Sequence, residues 1–239
     1  MDWKFLQTQN VRNLVGAMSG LMNRPAGVPC LAVVHGPAGR GKTEAASWYA
    51  VNKGGRYLVA NSMWSERWML SDLYAALRGL KSAHFGLKKQ AYEECLKIMH
   101  GDSLPIFIDE ADRVAQKTNH LEALRDLSDR SGVPIVFVGT DQILYRLQQR
   151  EQFASRVSQV VAFKALGRDE VKMIVGELTG LGLDDEVADK LVAASDGYFR
   201  DLVVLLSHLS RAAKASGAKA LNQEMVTQVA KKAVLRMAA

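Results

Sequence analysis

Gly36-Pro37-Ala38-Gly39-Arg40-Gly41-Lys42-Thr43 follows directly on the apolar run Leu31-Ala32-Val33-Val34. The octet satisfies G-x-x-x-x-G-K-[ST] in the strand-then-helix context that this pattern needs. Its glycines let the backbone turn tightly enough for successive N–H groups to point at a phosphate chain. The helix opening near Lys42 adds the positive end of its dipole to the same spot. Lys42 is placed to reach the β- and γ-phosphates, and the Thr43 hydroxyl to hold Mg²⁺. The expected nucleotide-binding set is therefore Gly36, Pro37, Ala38, Gly39, Arg40, Gly41, Lys42 and Thr43, with Glu44 beside them.

Four further apolar runs read as buried parallel strands: Tyr57–Ala60, Ile106–Ile108, Ile135–Val138 and Val160–Phe163. Helical periodicity fills the intervals, as crossovers between parallel strands require. It appears at Gln9–Asn23, Lys42–Val51, Glu66–Leu80, Leu87–Met99, His120–Ser128 and Gln142–Gln149. After Phe163 only helical patterns remain: Arg168–Leu178, Asp184–Ala194, Phe199–Ser216 and Gln223–Met237. The expected organisation is an α/β domain at 1–165, with a parallel five-stranded sheet in three layers, then a helical domain at 166–239.

Composition narrows the class. The chain has 239 residues, 48% of them hydrophobic and 23% charged, as in soluble globular proteins. It shows no apolar window of membrane-span length and no signal-peptide layout at Met1-Asp2-Trp3-Lys4, so no membrane partner and a cytoplasmic location are expected. Cys30 and Cys95 lack C-x-x-C spacing and read as reduced thiols. The formal charge is +6, and it sits unevenly. Residues 1–165 hold 21 Lys/Arg and 15 Asp/Glu, and residues 166–239 hold 10 of each. Such a balance is compatible with nucleic-acid binding and does not establish it.

The second half of the site reads Ile106-Phe107-Ile108-Asp109-Glu110. A strand ending in two carboxylates supplies what phosphoryl transfer to water needs. Asp109 is a metal ligand, and Glu110 orients and polarises the attacking water. Thr140, one residue past Ile135–Val138-Gly139, can touch the γ-phosphate if its strand lies between the two motif strands. A helix N-cap at Thr140 or Asp141 is the competing role. Two arginines stand apart: Arg156 in Phe153-Ala154-Ser155-Arg156-Val157, and Arg200 in Gly197-Tyr198-Phe199-Arg200. Either guanidinium suits a γ-phosphate, and each suits a surface ion pair as well.

Taken together, phosphate loop, Asp-Glu strand, Thr140, Ser-Arg before the last strand and Gly-x-x-Arg in the helical part resemble the AAA+ ATPase family. Within it the chain most resembles the phage Mu B-type transposition ATPases and their relatives in Tn7-like elements. The resemblance rests on Gly36–Thr43, Ile106–Arg113 with its Asp-Glu-Ala-Asp, and Val138-Gly-Thr140. It implies an ATP- and Mg²⁺-dependent ATPase that self-assembles on double-stranded DNA without sequence preference and directs a transposase. It implies that Arg156 is a finger reaching a neighbour's site, with Arg146 and Arg150 as rivals, and that Arg200 is a sensor in a lid. Initiator and helicase-loader ATPases carry similar features, and a regulatory ATPase without DNA remains a third possibility. Mu B has an N-terminal helix-turn-helix domain, whereas about ten residues precede the first helix here, so DNA contact is expected from the ATPase body.

Two basic segments are candidates for that contact. Arg78–His100 carries Lys81, Lys88, Lys89 and Lys97, with Phe85 and Tyr92 interleaved. Asn61–Arg67 offers Ser65 and Arg67 on a loop leaving the second strand; the resemblance implies that this region lines a channel. Solvated helix faces and a Ser65 helix cap are the competing readings. Trp64 and Trp68, four apart, are expected to pack on one helix face. Lys231, Lys232 and Arg236 read as a solvated end.

Overall fold

A computed structural model describes residues 4–25 and 27–237, the last seven of these by backbone alone. The contacts divide the chain into two units. One comprises residues 10–37 and 42–163; the other comprises residues 164 onward with Lys4–Gln9 and Ala38–Gly41.

The first unit runs α1 (Gln9–Met22), β1 (Leu31–His35), α2 (Lys42–Tyr49), β2 (Arg56–Val59), α3 (Glu66–Arg78), α4 (Lys88–Met99), β3 (Ile106–Asp109), α5 (Asp112–Ala115), α6 (Thr118–Ser131), β4 (Ile135–Val138), α7 (Asp141–Gln148), α8 (Glu151–Ala154) and β5 (Val157–Ala162). All five strands are parallel, in the order β2-β3-β4-β1-β5. The central strands are apolar on both faces because helices cover both. Leu31, Val33, Ile106, Ile108, Ile135 and Phe137 pack with Leu70, Leu73, Leu121 and Leu124 of α3 and α6. On the opposite face the Tyr49 ring of α2 lies 5.4 Å from that of Phe107. This is the expected α/β class: a five-stranded parallel sheet between helical layers.

Details differ from the expectations. The last strand begins at Val157, three residues before the expected run, because β5 is an edge strand. There Ser158 and Gln159 meet solvent and break the apolar pattern. The helix after the phosphate loop gives way to a π-helical turn at Ala50–Gly54. Helices α5 and α8, four residues each, are too short to show a period. Trp64 lies outside α3, since Ser65 is the helix N-cap. Trp64 is 3% exposed and donates to Asp72 at 2.7 Å, whereas Trp68 is 41% exposed, so the two do not share a helix face.

The second unit packs α9 (Arg168–Thr179), α10 (Asp185–Ser195), α11 (Phe199–Ser216) and α12 (Gln223–Met237) around Leu166, Val171, Ile174, Leu191, Leu202 and Leu206, with Leu6 joining them. Glu170 accepts from the N–H of Gly167 at 3.2 Å and of Gln9 at 2.8 Å, closing the start of α9. α10 ends in two successive left-handed residues, Asp196 (φ 47°) and Gly197 (φ 60°). That reversal sets the direction in which Tyr198 and Arg200 leave. Among the described residues no helix is long and apolar enough to cross a membrane.

Candidate functional site

β1 delivers Gly36 with φ at 139°, and a Cβ there would stand 2.7 Å from the Phe163 carbonyl oxygen. Only glycine fits. Gly39 and Gly41 also have positive φ. Lys42 is 9% exposed, and its Nζ donates to the carbonyls of Gly36 and Pro37, both at 2.8 Å. Burial pulls the Lys42 ammonium below its ordinary pKa, while Asp109, Asp112, Asp141 and Glu110 pull it up. The negative charge at the ends of β3 and β4 thus offsets part of the cost of burying this cation. Thr43 and Glu44 stand exposed in the first turn of α2. The loop suits a phosphate chain. The Thr43 hydroxyl and the Asp109 carboxylate are the hard oxygen donors that Mg²⁺ prefers.

Asp109 ends β3 and is 4% exposed. Its Oδ2 accepts from the Tyr57 phenol at 2.7 Å, and its Oδ1 from the Glu110 N–H at 2.8 Å. Burial and the adjacent carboxylate raise the Tyr57 pKa, so the phenol stays a donor. Glu110 adopts a left-handed φ of 54°, rare for a residue with a side chain. Its carboxylate is 3.6 Å from Nη2 of Arg113, whose Nη1 donates to the Ala60 carbonyl at 2.8 Å.

β4 lies between β3 and β1, which places Thr140 between the strands bearing the two motifs. Its hydroxyl accepts from the Gln142 N–H at 3.3 Å, capping α7. The same hydroxyl donates to Asp112 Oδ1 at 2.9 Å, and the Thr140 N–H donates to Oδ2 at 2.7 Å. The cap is therefore present, and Asp112 holds the residue in place. Asp141, the rival position, lies 2.7 Å from His35 Nδ1. Tyr57 and Asp112 were not among the expected site residues. Asp112 was visible only as the last letter of Asp-Glu-Ala-Asp.

In the helical unit the Arg200 N–H donates to the Gly39 carbonyl at 3.1 Å, and the Arg200 residue is exposed. Arg40 does not point outward. Its guanidinium lies 3.8 Å from the centre of the Tyr198 ring and donates to the Asp196 carbonyl at 3.0 Å.

Arg156 precedes β5 and pairs with Asp129, Nε to Oδ2 at 3.1 Å. Arg150 donates to the Thr118 hydroxyl at 3.0 Å, and Arg146 lies in the last turn of α7.

Most side chains of the two basic segments are engaged within the chain. Lys88 is paired with Glu66, and Lys89 lies 3.7 Å from Glu93. Lys88 and Lys97 fall on opposite sides of α4, roughly 180° apart at ~3.6 residues per turn, so these lysines make no single basic face. Phe85 packs edge-on against Tyr74, and Tyr92 packs on the core beside Arg130. Both rings are half-buried in these contacts. Lys81 is exposed in the linker between α3 and α4. Ser65 accepts from the Trp68 N–H at 3.2 Å as the cap of α3, and Arg67 donates to the Gly86 carbonyl at 3.0 Å. Lys117 also holds the loop after β2, bonding the carbonyls of Ser62 and Trp64. The side chains of Lys231, Lys232 and Arg236 lie outside the described residues.

Residues 29–147 match the family described as AAA domain. A curated protein of Staphylococcus aureus described as a potential ATP-binding protein is 28% identical over 130 residues, which span 51% of this chain and 47% of that one. The chain thus covers about half that relative's length. Solved structures share the fold at low identity. The Aeropyrum pernix ORC1 protein in complex with DNA matches 97% of this chain and 66% of its own, at 17% identity and a TM-score of 0.61. The ORC2 protein of the same organism, in ADPNP and ADP complexes, matches 93% and 66%, at 20% and 0.62. The Thermotoga maritima RuvB Holliday junction branch migration motor matches 94% and 68%, at 19% and 0.60. Together with the parallel sheet order, these matches give a P-loop AAA+ α/β fold with a helical C-terminal region.

Proposed function

We propose, from an AAA domain over residues 29–147 on a P-loop AAA+ fold, that this chain is an ATPase whose copies assemble on double-stranded DNA when ATP is bound. The observation that carries hydrolysis is the end of β3, where Asp109 is buried and bonded by Tyr57 and the Glu110 N–H while the Glu110 carboxylate stands exposed beside it. Lys42 releases the Gly36 and Pro37 carbonyls and takes the β- and γ-phosphate oxygens in their place. The N–H groups of Gly36–Thr43 hold the phosphate chain, with Glu44 beside them. Thr43 and Asp109 would hold Mg²⁺, which supplies Lewis-acid neutralisation of the developing charge. Glu110 accepts a proton from the attacking water, Thr140 positions that water or the γ-phosphate, and Arg200 senses the γ-phosphate from the helical unit. Arg156 of one copy completes the site of the next.

A single copy with a few phosphate contacts binds DNA weakly and in a salt-sensitive way. Linking copies through shared triphosphates converts those contacts into avidity. Ser65, Arg67, Lys81, Lys88, Lys89 and Lys97 are the candidate DNA contacts of this reading. Ser65 and Arg67 must first leave the α3 cap and the Gly86 carbonyl, Lys88 and Lys89 their carboxylates, and Lys88 and Lys97 would meet DNA from different sides of α4. On the resemblance to Mu B-type ATPases, the assembly acts in the cytoplasm or nucleoid and directs a transposase to target DNA. Delivery of a replicative helicase is the alternative, and pull-down by the ATP-bound assembly separates the two.

The test is ATP turnover and sedimentation with and without duplex DNA, at low and high salt, beside Lys42→Ala. Large ATP-dependent species on DNA, lost at high salt and absent in the variant, are expected. A protein that sediments identically with and without nucleotide, and off DNA at low salt, overturns the reading.

A further inference from the structure

The fourth variable position of the phosphate loop is unconstrained by phosphate chemistry, yet here Arg40 is committed. The guanidinium stacks 3.8 Å above the Tyr198 ring, and Nη1 donates to the Asp196 carbonyl at 3.0 Å. Its Nε is buried without a hydrogen-bond partner, while the rest of the half-buried guanidinium is held by the ring face and that carbonyl. The turn it grips has no slack. Asp196 and Gly197 are both left-handed, and a Cβ on Gly197 would stand 2.8 Å from Ala165 Cβ, 3.0 Å from the Leu166 nitrogen and 3.1 Å from Arg40 Nη1. The Leu166 N–H donates to the Gly197 carbonyl at 3.0 Å, and the Arg200 N–H donates to the Gly39 carbonyl at 3.1 Å. A Cβ on Gly39 would meet Tyr198 Cδ1 at 3.4 Å and Arg200 Cβ at 3.6 Å. All of these residues belong to the unit that holds both Ala38–Gly41 and the C-terminal helices.

We infer that Arg40 is a positioning residue for Arg200: by stacking on Tyr198 and bonding Asp196, it fixes the 196–200 turn on the phosphate loop. The inference deepens the ATPase reading above and depends on it. Arg200 lies in the first turn of α11, and its backbone is already tied to Gly39, so the 196–200 turn decides where its side chain can reach. Arg40 supplies the second tie, through the side chain on the other flank of that turn. A cation stacked on a ring is also separable: the contact contributes modestly, so it can part and re-form as nucleotide is exchanged. The consequence is discrimination. A γ-phosphate is felt by Arg200 only while the turn is held, whereas ADP binding is indifferent to it.

The experiment is a titration of the purified full chain with fluorescent ATP and ADP, in four proteins: wild type, Arg40→Ala, Arg200→Ala and the double variant. Tyr198→Leu and Tyr198→Phe run beside them, and thermal melts monitor folding. Arg40→Ala is expected to weaken ATP binding by about 5- to 10-fold relative to ADP. The double variant is expected to be no worse than Arg200→Ala alone, because both remove one interaction. Tyr198→Leu should copy Arg40→Ala, and Tyr198→Phe, which keeps the ring, should behave as wild type. Equal loss of ATP and ADP affinity, or losses that multiply in the double variant, overturns the inference while leaving the ATPase reading intact. A wild-type chain that binds neither nucleotide removes the ATPase reading, and this inference with it.

Discussion

The Tyr57 phenol donates a 2.7 Å hydrogen bond to Oδ2 of Asp109, the carboxylate that ends β3. The other carboxylate oxygen accepts from the Glu110 N–H, so the group is clamped from both sides before any cation arrives. Partners of this kind orient a metal ligand, and losing one typically weakens metal binding ~10–100-fold. Tyr57→Phe removes one hydroxyl and leaves the ring in the sheet. The Mg²⁺ concentration that half-saturates ATP binding should rise by about tenfold. Folding stability should fall by about 1.5–3 kcal/mol, the worth of a hydrogen bond to a charged group. Mg²⁺ titration monitored by fluorescent ATP, with urea denaturation alongside, reads both; an unchanged Mg²⁺ requirement removes Tyr57 from the site.

Glu110 is held at φ 54° with its carboxylate 53% exposed, near Arg113 and outside the clamp on Asp109. A strained, exposed carboxylate beside a buried one is suited to meeting water rather than a metal. Glu110→Gln keeps shape and backbone but cannot accept a proton. ATP affinity should stay within about twofold while kcat falls by about 10²–10⁴. Single-turnover hydrolysis checks this, and turnover at the wild-type rate would exclude the assigned role.

The phosphate loop was legible because its chemistry is written in consecutive residues. The sheet was legible because central strands are apolar on both faces. What the sequence concealed depends on register and on ends. Tyr57 reaches Asp109 only because β2 pairs with β3 so that Val59 lies opposite Asp109 and Tyr57 opposite Phe107. No local pattern announces that pairing. Asp112 holds Thr140 across 28 positions, from a helix of four residues that has no period to detect. The Trp64–Trp68 expectation failed by one residue, since Ser65 caps the helix and leaves Trp64 outside. The lysines of α4 looked like one face as a string, yet a helix turns Lys88 and Lys97 apart and hands Lys88 to Glu66.

Two glycine substitutions should act with opposite sign. At Gly36 the φ of 139° and the Phe163 carbonyl, 2.7 Å from any Cβ, leave backbone against backbone with nothing flexible to yield. Gly36→Ala should cost about 2–5 kcal/mol, from strain and overpacking together. Gly16 lies inside α1 with nothing within 4 Å of its would-be Cβ. Gly16→Ala should therefore stabilise by about 0.5–1 kcal/mol, through helix propensity and a less flexible unfolded chain. Urea midpoints of the two variants compare them directly. Loss of stability at Gly16, or none at Gly36, would contradict the geometry.

His120 in α6 is 4% exposed, and burial lowers its pKa, with Lys117 adding to the effect against the opposing Ser65 backbone and Glu66. Below its ordinary value near 6.5 the unfolded chain binds a proton that the folded chain resists. The stability associated with neutral His120 is therefore fully present above pH 6.5. It is lost as pH falls from there to the lowered folded value. His120→Leu should shed this dependence. The stability difference between variant and wild type, measured by urea denaturation at pH 7.5 and pH 5, should shift in the variant's favour at the lower pH. A difference that does not change with pH would show that burial of His120 carries no proton linkage.

Arg156 and Asp129 form an ion pair at 3.1 Å with side chains 47% and 32% exposed. In solvent such a pair contributes about 0–1 kcal/mol, so Arg156 can leave Asp129 for a neighbour's γ-phosphate at little cost. Arg156→Ala should fold and bind ATP as wild type does, yet lose about 10³-fold or more in turnover if the guanidinium acts across subunits. The decisive measurement mixes two inactive proteins. Lys42→Ala lacks its own phosphate grip but retains Arg156; Arg156→Ala retains Lys42 but offers no finger. At a mixed interface the intact Lys42 site faces an intact Arg156, and hydrolysis should return in proportion to the fraction of such interfaces. A silent mixture would refute a site shared through Arg156. Repeating it with Arg150→Ala tests the rival arginine, now bonded to the Thr118 hydroxyl, because only the true finger regains activity with Lys42→Ala and depends on assembly for it.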